Sequence, residues 1–319
     1  MRVLLAYDDS PCARVALELT AGIGWPAGTS IEVVQVVEPR RDLVGLPDAA
    51  FLSAADPPPT DEAVLEAAHL AVEGAATRLR AAGHPASGRV RHGRPATVLA
   101  RDAERGNVDL LIVGSRGHGP MDALLLGSVS TELVDHAPCP VLVVRCPRID
   151  RAVVASDGSA SSSHAIGQLV EWGLLQGAEA RVVSVAPGGR PLAGLLGVVE
   201  PRVADLEHGA DEELLRFHRS IAEDAATQLT RAGVRAEPEL RRGDAAHEIV
   251  RAAEACHADL VVTGSRGLGT LPRLLLGSVA RKVLLHAGRS VLVMRPHPER
   301  PEQRVRFAVP QTAVGLGAL

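Results

Sequence analysis

The sequence predicts two tandem α/β domains, each a doubly wound sheet with helices on both faces. Three observations carry this prediction. Apolar, β-branched runs alternate along the chain with segments of helical periodicity. The stretch GSRGHGPMDALLLGSV at 114–129 returns as GSRGLGTLPRLLLGSV at 264–279, with 11 identities in 16 positions, which indicates an internal duplication. The length, 319 residues, suits two domains that each bury a core of their own.

The elements follow in order. In the first half the strand-like runs are Arg2 to Asp8, Ser30 to Val37, Ala86 to His92, Val108 to Gly114 and Pro140 to Arg145. Four of them are continuous rather than alternating, as in parallel strands covered on both faces; Ala86 to His92 is weaker, with polar alternation. Helical patterns lie between them at Cys12 to Ile23, Asp61 to Ala82, Thr97 to Arg105 and Asp122 to His136. Thr60 stands as an N-cap and Gly83 as a C-terminal stop for the long Ala-rich helix. The second half repeats the order, with strands at Arg151 to Asp157, Ala180 to Val185, Arg235 to Arg241, Asp259 to Gly264 and Ser290 to Arg295. Its helices fall at Ser161 to Leu175, Asp211 to Ala232, Ala246 to Cys256 and Pro272 to His286. The boundary falls at CPRID, Cys146 to Asp150, and residues 38–59 and 187–209 read as long loops. The tail from Glu299 receives no element.

Bulk properties exclude several classes. A net charge of −4 and a pI near 6.3 argue against a general nucleic-acid binder, which needs a basic face. No run approaches the roughly 20 apolar residues of a membrane span, and the start has too short an apolar run for a signal peptide. Cys12, Cys139, Cys146 and Cys256 form no CxxC pair, so a reducing cytoplasm is expected. The 12 histidines are scattered without metal-ligand spacing.

The repeated glycines sit where a ligand site is expected, because open α/β sheets bind ligands beyond the carboxyl ends of their strands. Gly114 and Gly117 let the backbone approach a ligand without a β-carbon in the way. Gly127 inside a helix costs about 1 kcal/mol relative to alanine. Either the helix starts near Gly127, or something must come close. Free N–H groups at a helix start favour an anion, and Ser128 adds a hydroxyl. The reading is a phosphate cradle in two pieces; the alternative is a tight turn with close helix–sheet packing. Walker A is excluded, since Lys282 is the one lysine and no GxxxxGK occurs. GIGWPA at Gly22 to Ala27 follows a helix rather than a strand and is rejected as a dinucleotide fingerprint. Phosphate charge then falls to backbone N–H groups, Mg²⁺, or Arg116 and Arg266, which are otherwise solvated surface side chains. Asp8 and Asp157 end the first strand of each half. Each either caps the next helix, helped by Ser10 or Ser159, or faces the ligand crevice.

The pattern Gly-x2-Gly-x9-Gly-Ser occurs at Gly114, Gly117, Gly127, Ser128 and again at Gly264, Gly267, Gly277, Ser278. DLLIVGSRG and DLVVTGSRG lead into it, and an Asp-x-Ser motif opens each half. The chain thereby resembles a tandem universal stress protein over roughly residues 1–146 and 150–296, leaving 297–319 as a tail. The resemblance implies a five-stranded parallel sheet per domain and, in the nucleotide-binding branch of that family, one ATP per domain, with Mg²⁺. It implies that Gly114, Gly117, Gly127, Ser128 and Val129 hold phosphates and ribose beside Val113, while Asp8 and Val36 contact the adenosine end. The matching second set is Thr263, Gly264, Gly267, Gly277, Ser278, Val279, Asp157 and Val185. It further implies that the last strands, Pro140 to Arg145 and Ser290 to Arg295, join the domains as an internal pseudo-dimer, with a further homodimer of chains expected.

Three departures stand out. Asp9 replaces Gly158 and adds a negative charge near the first site, Thr263 replaces Val113, and Gly243-Asp-Ala-Ala replaces Gly93-Arg-Pro-Ala. The function implied is a regulatory ATP-binding protein that acts on a protein partner in stress. Slow ATP hydrolysis and nucleotide-independent scaffolding are the alternatives. Hydrolysis lacks a duplicated base, since His118 answers to Leu268.

Overall fold

A computed structural model describes residues 1–39, 60–117, 126–188, 201–265 and 276–295, with the backbone alone for 201–210. The expected loop segments 40–59 and 189–200, together with His118, Arg266, Gly267, Leu268 and the tail, lie outside these residues.

Ten strands form one sheet in the order β3-β2-β1-β4-β5-β10-β9-β6-β7-β8. The first half supplies β1 (Arg2–Ala6), β2 (Ser30–Val37), β3 (Ala86–His92), β4 (Leu110–Gly114) and β5 (Val141–Val144). The second supplies β6 (Arg151–Ala155), β7 (Glu179–Ala186), β8 (Arg235–Arg242), β9 (Leu260–Gly264) and β10 (Ser290–Met294). Within each half all pairings are parallel. The halves join where β5 meets β10 antiparallel, with Leu142 opposite Leu292. The expected pseudo-dimer through the last strands is therefore the observed arrangement. Polar strands take the edges: β3 carries Arg89, Arg91 and His92, and β8 carries Pro238, which removes one backbone donor.

The helices are α1 (Pro11–Gly22), α2 (Asp61–Ala81), α3 (Pro95–Arg105), α4 (Ser128–His136), α5 (Ala160–Trp172), α6 (Pro201–Arg231), α7 (Ala245–Ala255) and α8 (Ser278–His286). Local chemistry sets their ends. Thr60 caps α2 by accepting from the Ala63 N–H at 3.2 Å, and Gly83 takes φ +90° just beyond it. Leu17, Leu79, Leu169 and Leu229, from α1, α2, α5 and α6, pack on one sheet face. Leu99, Leu133, Ile249 and Val283, from α3, α4, α7 and α8, pack on the other. Both cores run across the β5–β10 seam: Leu142 and Leu292 belong to the first, Val141, Val143, Val291 and Val293 to the second.

Three expected boundaries change. The helices expected from Asp122 and Pro272 begin instead at Ser128 and Ser278; of the earlier residues, 126–127 and 276–277 are non-helical and 122–125 and 272–275 lie outside the description. The helix expected from Asp211 begins at Pro201, so the expected loop ends earlier. Proline is tolerated at the first helical position, where its missing N–H has no intrahelical partner to lose.

Candidate functional site

In each half the strand order reverses beside the first strand, so a crevice opens between the ends of β1 and β4, and between those of β6 and β9. Asp8 follows β1, and Gly114 ends β4. The chain after β4 is pinned at both ends. The Ser115 N–H donates to the Val144 carbonyl at 3.0 Å, and the Gly127 N–H donates to the Ser115 carbonyl at 2.9 Å. The second half repeats this, with Ser265 N–H to Met294 O at 2.7 Å and Gly277 N–H to Ser265 O at 2.8 Å.

The glycines are required at two different contacts. A β-carbon on Gly114 would lie 2.8 Å from the Cys12 carbonyl carbon and 3.0 Å from the Ala13 nitrogen, in the first turn of α1. One on Gly117 would lie 2.7 Å from Asp8 Oδ2. Gly114 therefore serves close packing, the alternative reading of the glycines. Gly117 brings the loop onto the strand-end carboxylate.

The helix starts differ in a telling way. Ser10, Ser159 and Asp244 cap α1, α5 and α7 with their side chains, at 3.2, 3.2 and 3.0 Å. Gly127 and Gly277 precede α4 and α8 with no side-chain cap, and Arg94 precedes α3 likewise, but α4 and α8 alone among these repeat at equivalent places in the two halves. Ser128 and Ser278 stand exposed at the first helical position. Each of these starts offers backbone donors and the positive end of the helix dipole to the crevice. Ser130 does not compensate, because its hydroxyl turns back to the Ser115 and Gly127 carbonyls.

The two readings of Asp8 and Asp157 also separate. Serine makes each cap, while the aspartate Oδ1 accepts the serine N–H, at 3.1 Å for Asp8–Ser10 and 3.0 Å for Asp157–Ser159. The carboxylates are thus tied to the turn before each helix rather than spent as caps, and Asp8 Oδ2 lies against Gly117. Val113 and Thr263 are buried beside the glycines. Val36, Val185, Val129 and Val279 pack, partly buried, against the second core. Gly264 ends β9, matching Gly114.

Asp9 departs from expectation. It sits at φ 59°, close to the +75° of Gly158, but its carboxylate grips Arg14 at 2.9 and 2.8 Å and accepts the Tyr7 hydroxyl at 2.7 Å. Its charge is matched there. Burial, reinforced by the hydrogen bond to Asp9, pushes Tyr7 up to about 12. The change from Arg94 to Asp244 is likewise compensated. Arg94 pairs with Glu132 at 2.9 Å and Asp244 with Lys282 at 3.2 Å, the same bridge with its signs exchanged. A sequence reading missed this pairing, although positions 94, 132, 244 and 282 are related by the 150-residue repeat.

A polar pair distinguishes the second half. His218 of α6, 8% exposed, places Nδ1 2.9 Å from the Ser184 hydroxyl. Burial lowers its pKa, and Asp157 opposes the shift. A lowered folded value means that the unfolded chain binds more protons just below pH 6.5, the ordinary value. The stabilisation is complete above that pH and lost as pH falls towards the folded value. The urea midpoint of the wild type is expected to fall more steeply than that of His218→Gln between pH 7.5 and 5.5. Parallel curves would refute this.

Fold and site together define a duplicated doubly wound protein in which an uncapped helix follows a glycine, Gly127 or Gly277, at the equivalent place of each half. A model described as the Universal stress protein family matches residues 1–145 and 148–295, and the chain belongs to that family. It is 29% identical to Universal stress protein Rv1996 of Mycobacterium tuberculosis over 332 aligned positions, covering 94% of this chain and 96% of that one. A Thermus aquaticus universal stress protein, described as lying in the QAH/OAS sulfhydrylase 3′ region, is 33% identical over 144 residues, 45% of this chain and 97% of its own. The crystal structure of a universal stress protein from Archaeoglobus fulgidus shares the fold, with a TM-score of 0.59, 22% identity and coverage of 92% of this chain and 98% of that one. Among the described residues no helix is long and apolar enough to cross a membrane.

Proposed function

We propose that the protein is a regulatory member of the ATP-binding branch, holding one adenine nucleotide in each half and acting in stress through a protein partner. The observation that supports this reading is the pair of bare helix starts at equivalent places of the repeat: α4 and α8 begin without a side-chain cap directly after Gly127 and Gly277, whereas the other bare start, that of α3 after Arg94, is not repeated, since Asp244 caps α7. A phosphate supplies the missing acceptor. In the first half, the N–H groups at the start of α4 and the Ser128 hydroxyl would hold phosphate oxygens. Asp8, whose Oδ2 lies beside Gly117, would accept from the sugar or base, and Val36 would pack against the adenosine. In the second half Asp157, Val185, Ser278 and the N–H groups at the start of α8 would take the corresponding places beside Thr263, Gly277 and Val279, with Gly267 carried over from the repeat and Gly264, like Gly114, left to packing. Mg²⁺ would share the triphosphate charge when bound. A further dimer of chains would use a surface other than β5 and β10, since those strands already pair within the chain.

The test is to purify the protein without added nucleotide, release any ligand with acid, and identify it by chromatography and mass. About two adenine nucleotides per chain are expected from two cradles. An empty protein that also fails to take up Mg·ATP would overturn the reading.

A further inference from the structure

The ends of the two last strands carry a reciprocal contact. Arg145 follows β5, and its guanidinium donates to the Leu284 carbonyl at 3.1 Å, in the last turn of α8 in the other half, and to the Arg289 carbonyl at 2.8 Å, in the connection from α8 to β10. Arg295 follows β10 and is 8% exposed. It donates to the Val134 and Asp135 carbonyls at the C-terminal end of α4, the second contact being 2.9 Å. Each guanidinium meets at least one last-turn carbonyl that the helix leaves unpaired, Leu284 for Arg145 and Val134 and Asp135 for Arg295, and with it the negative end of the helix dipole. Ser290 secures the crossing by accepting the Arg145 and Cys146 N–H groups at 3.0 Å each. Arg281 of α8 also reaches Asp135 of α4 at 2.6 Å.

These contacts lie one residue from the cradles. Ser115, which pins the first glycine loop, bonds Val144, the neighbour of Arg145. Ser265, which pins the second, bonds Met294, the neighbour of Arg295. Burial lowers the pKa of Arg145, and the charge of Arg116, in the first glycine loop, adds to that shift. The helix whose start faces one crevice is therefore gripped at its far end by the residue after the strand that pins the other glycine loop.

We propose that Arg145 and Arg295 are positioning residues, Arg145 for α8 and Arg295 for α4, and that through them the two ligand sites are coupled, nucleotide at one tightening binding at the other. This rests on the nucleotide reading above. A ligand that steadies Ser115 or Ser265 steadies the end of the strand it bonds, and the arginine there steadies the other helix. The second ligand then finds part of its ordering cost already met. The coupling is reciprocal by thermodynamic necessity.

Titration of the full chain with Mg·ATP tests this. Coupling of about fivefold or more is expected between the two binding steps, near the lower end of ordinary allosteric factors. Arg145→Met with Arg295→Met should leave two independent sites, and Arg145→Lys with Arg295→Lys should restore part of the coupling, since lysine still donates to carbonyls. Gly117→Ala protein, which fills its second site alone, supplies a measurement free of changes at the arginines. Mg·ATP should slow amide exchange in α4 of its first half. Independent sites in the wild type, coupling unchanged in the methionine variant, or unaltered exchange in α4 would each overturn the proposal. Failure of the wild type to bind Mg·ATP at all refutes the nucleotide reading itself, and the coupling with it.

Discussion

Gly114→Ala and Gly117→Ala are expected to fail in different ways, although the two glycines sit three residues apart in one motif. The new methyl at 114 meets the backbone of Cys12 at 2.8 and 2.9 Å and of Ala13 at 3.0 Å. Backbone in the first turn of a helix packed on the sheet yields little, so α1 must move off the sheet. Overpacking of this kind costs about 1–3 kcal/mol, and the urea midpoint should drop accordingly. At 117 the methyl meets one oxygen of Asp8, at 2.7 Å, and the glycine itself is exposed. The fold should hold its midpoint to within about 0.5 kcal/mol, as at an ordinary surface position. The carboxylate, tethered through Oδ1 to the Ser10 N–H, is pushed out of its place beside Gly117. Mg·ATP stoichiometry should then fall from about two to about one per chain, if each cradle holds one nucleotide as its free helix start suggests. A Gly117→Ala protein that still takes two nucleotides would show that the carboxylate plays no part. Equal destabilisation by both substitutions would show that both glycines serve packing alone.

The same pair shows what the sequence makes legible. The spacing of the glycines and the energetic cost of one inside a helix place the start of α4 at Ser128, against the longer helical pattern from Asp122. Strand cores were legible because continuous β-branched runs have few other uses; β3 is reproduced from Ala86 to His92 despite its polar alternation. The division of labour at the aspartates was not. Asp-x-Ser allows either residue to cap, and the choice of Ser10 and Ser159 depends on three-dimensional position. The start of α6 at Pro201 had a local signal, a proline at the first helical position, but the loop read from the sequence at the matching place, 38–59, obscured it. Arg145 and Arg295 were legible only as strand ends. Their partners lie 139 and 161 residues away, and no local pattern specifies contacts that depend on antiparallel docking of two copies.

Leu142→Ala or Leu292→Ala should destabilise both halves at once. The two leucines face each other across the β5–β10 pair, and each is fully buried. Truncating a buried leucine costs about 2–5 kcal/mol, through lost transfer energy and the cavity left behind. Two self-contained domains would confine that loss to the half carrying the substitution. Here Leu142 and Leu292 belong to one core that extends from Leu17 of α1 to Leu229 of α6, and the opposite face has a second core that crosses the same seam. The cost is shared because neither half can expose β5 or β10 without opening both cores. Native-state amide exchange reads this directly. Protection in β2 and in β7, each away from the seam, should decline by the same factor in Leu142→Ala protein. A decline in β2 with β7 unchanged would mean that the halves open independently, and that the ten-stranded sheet is two folding units laid side by side.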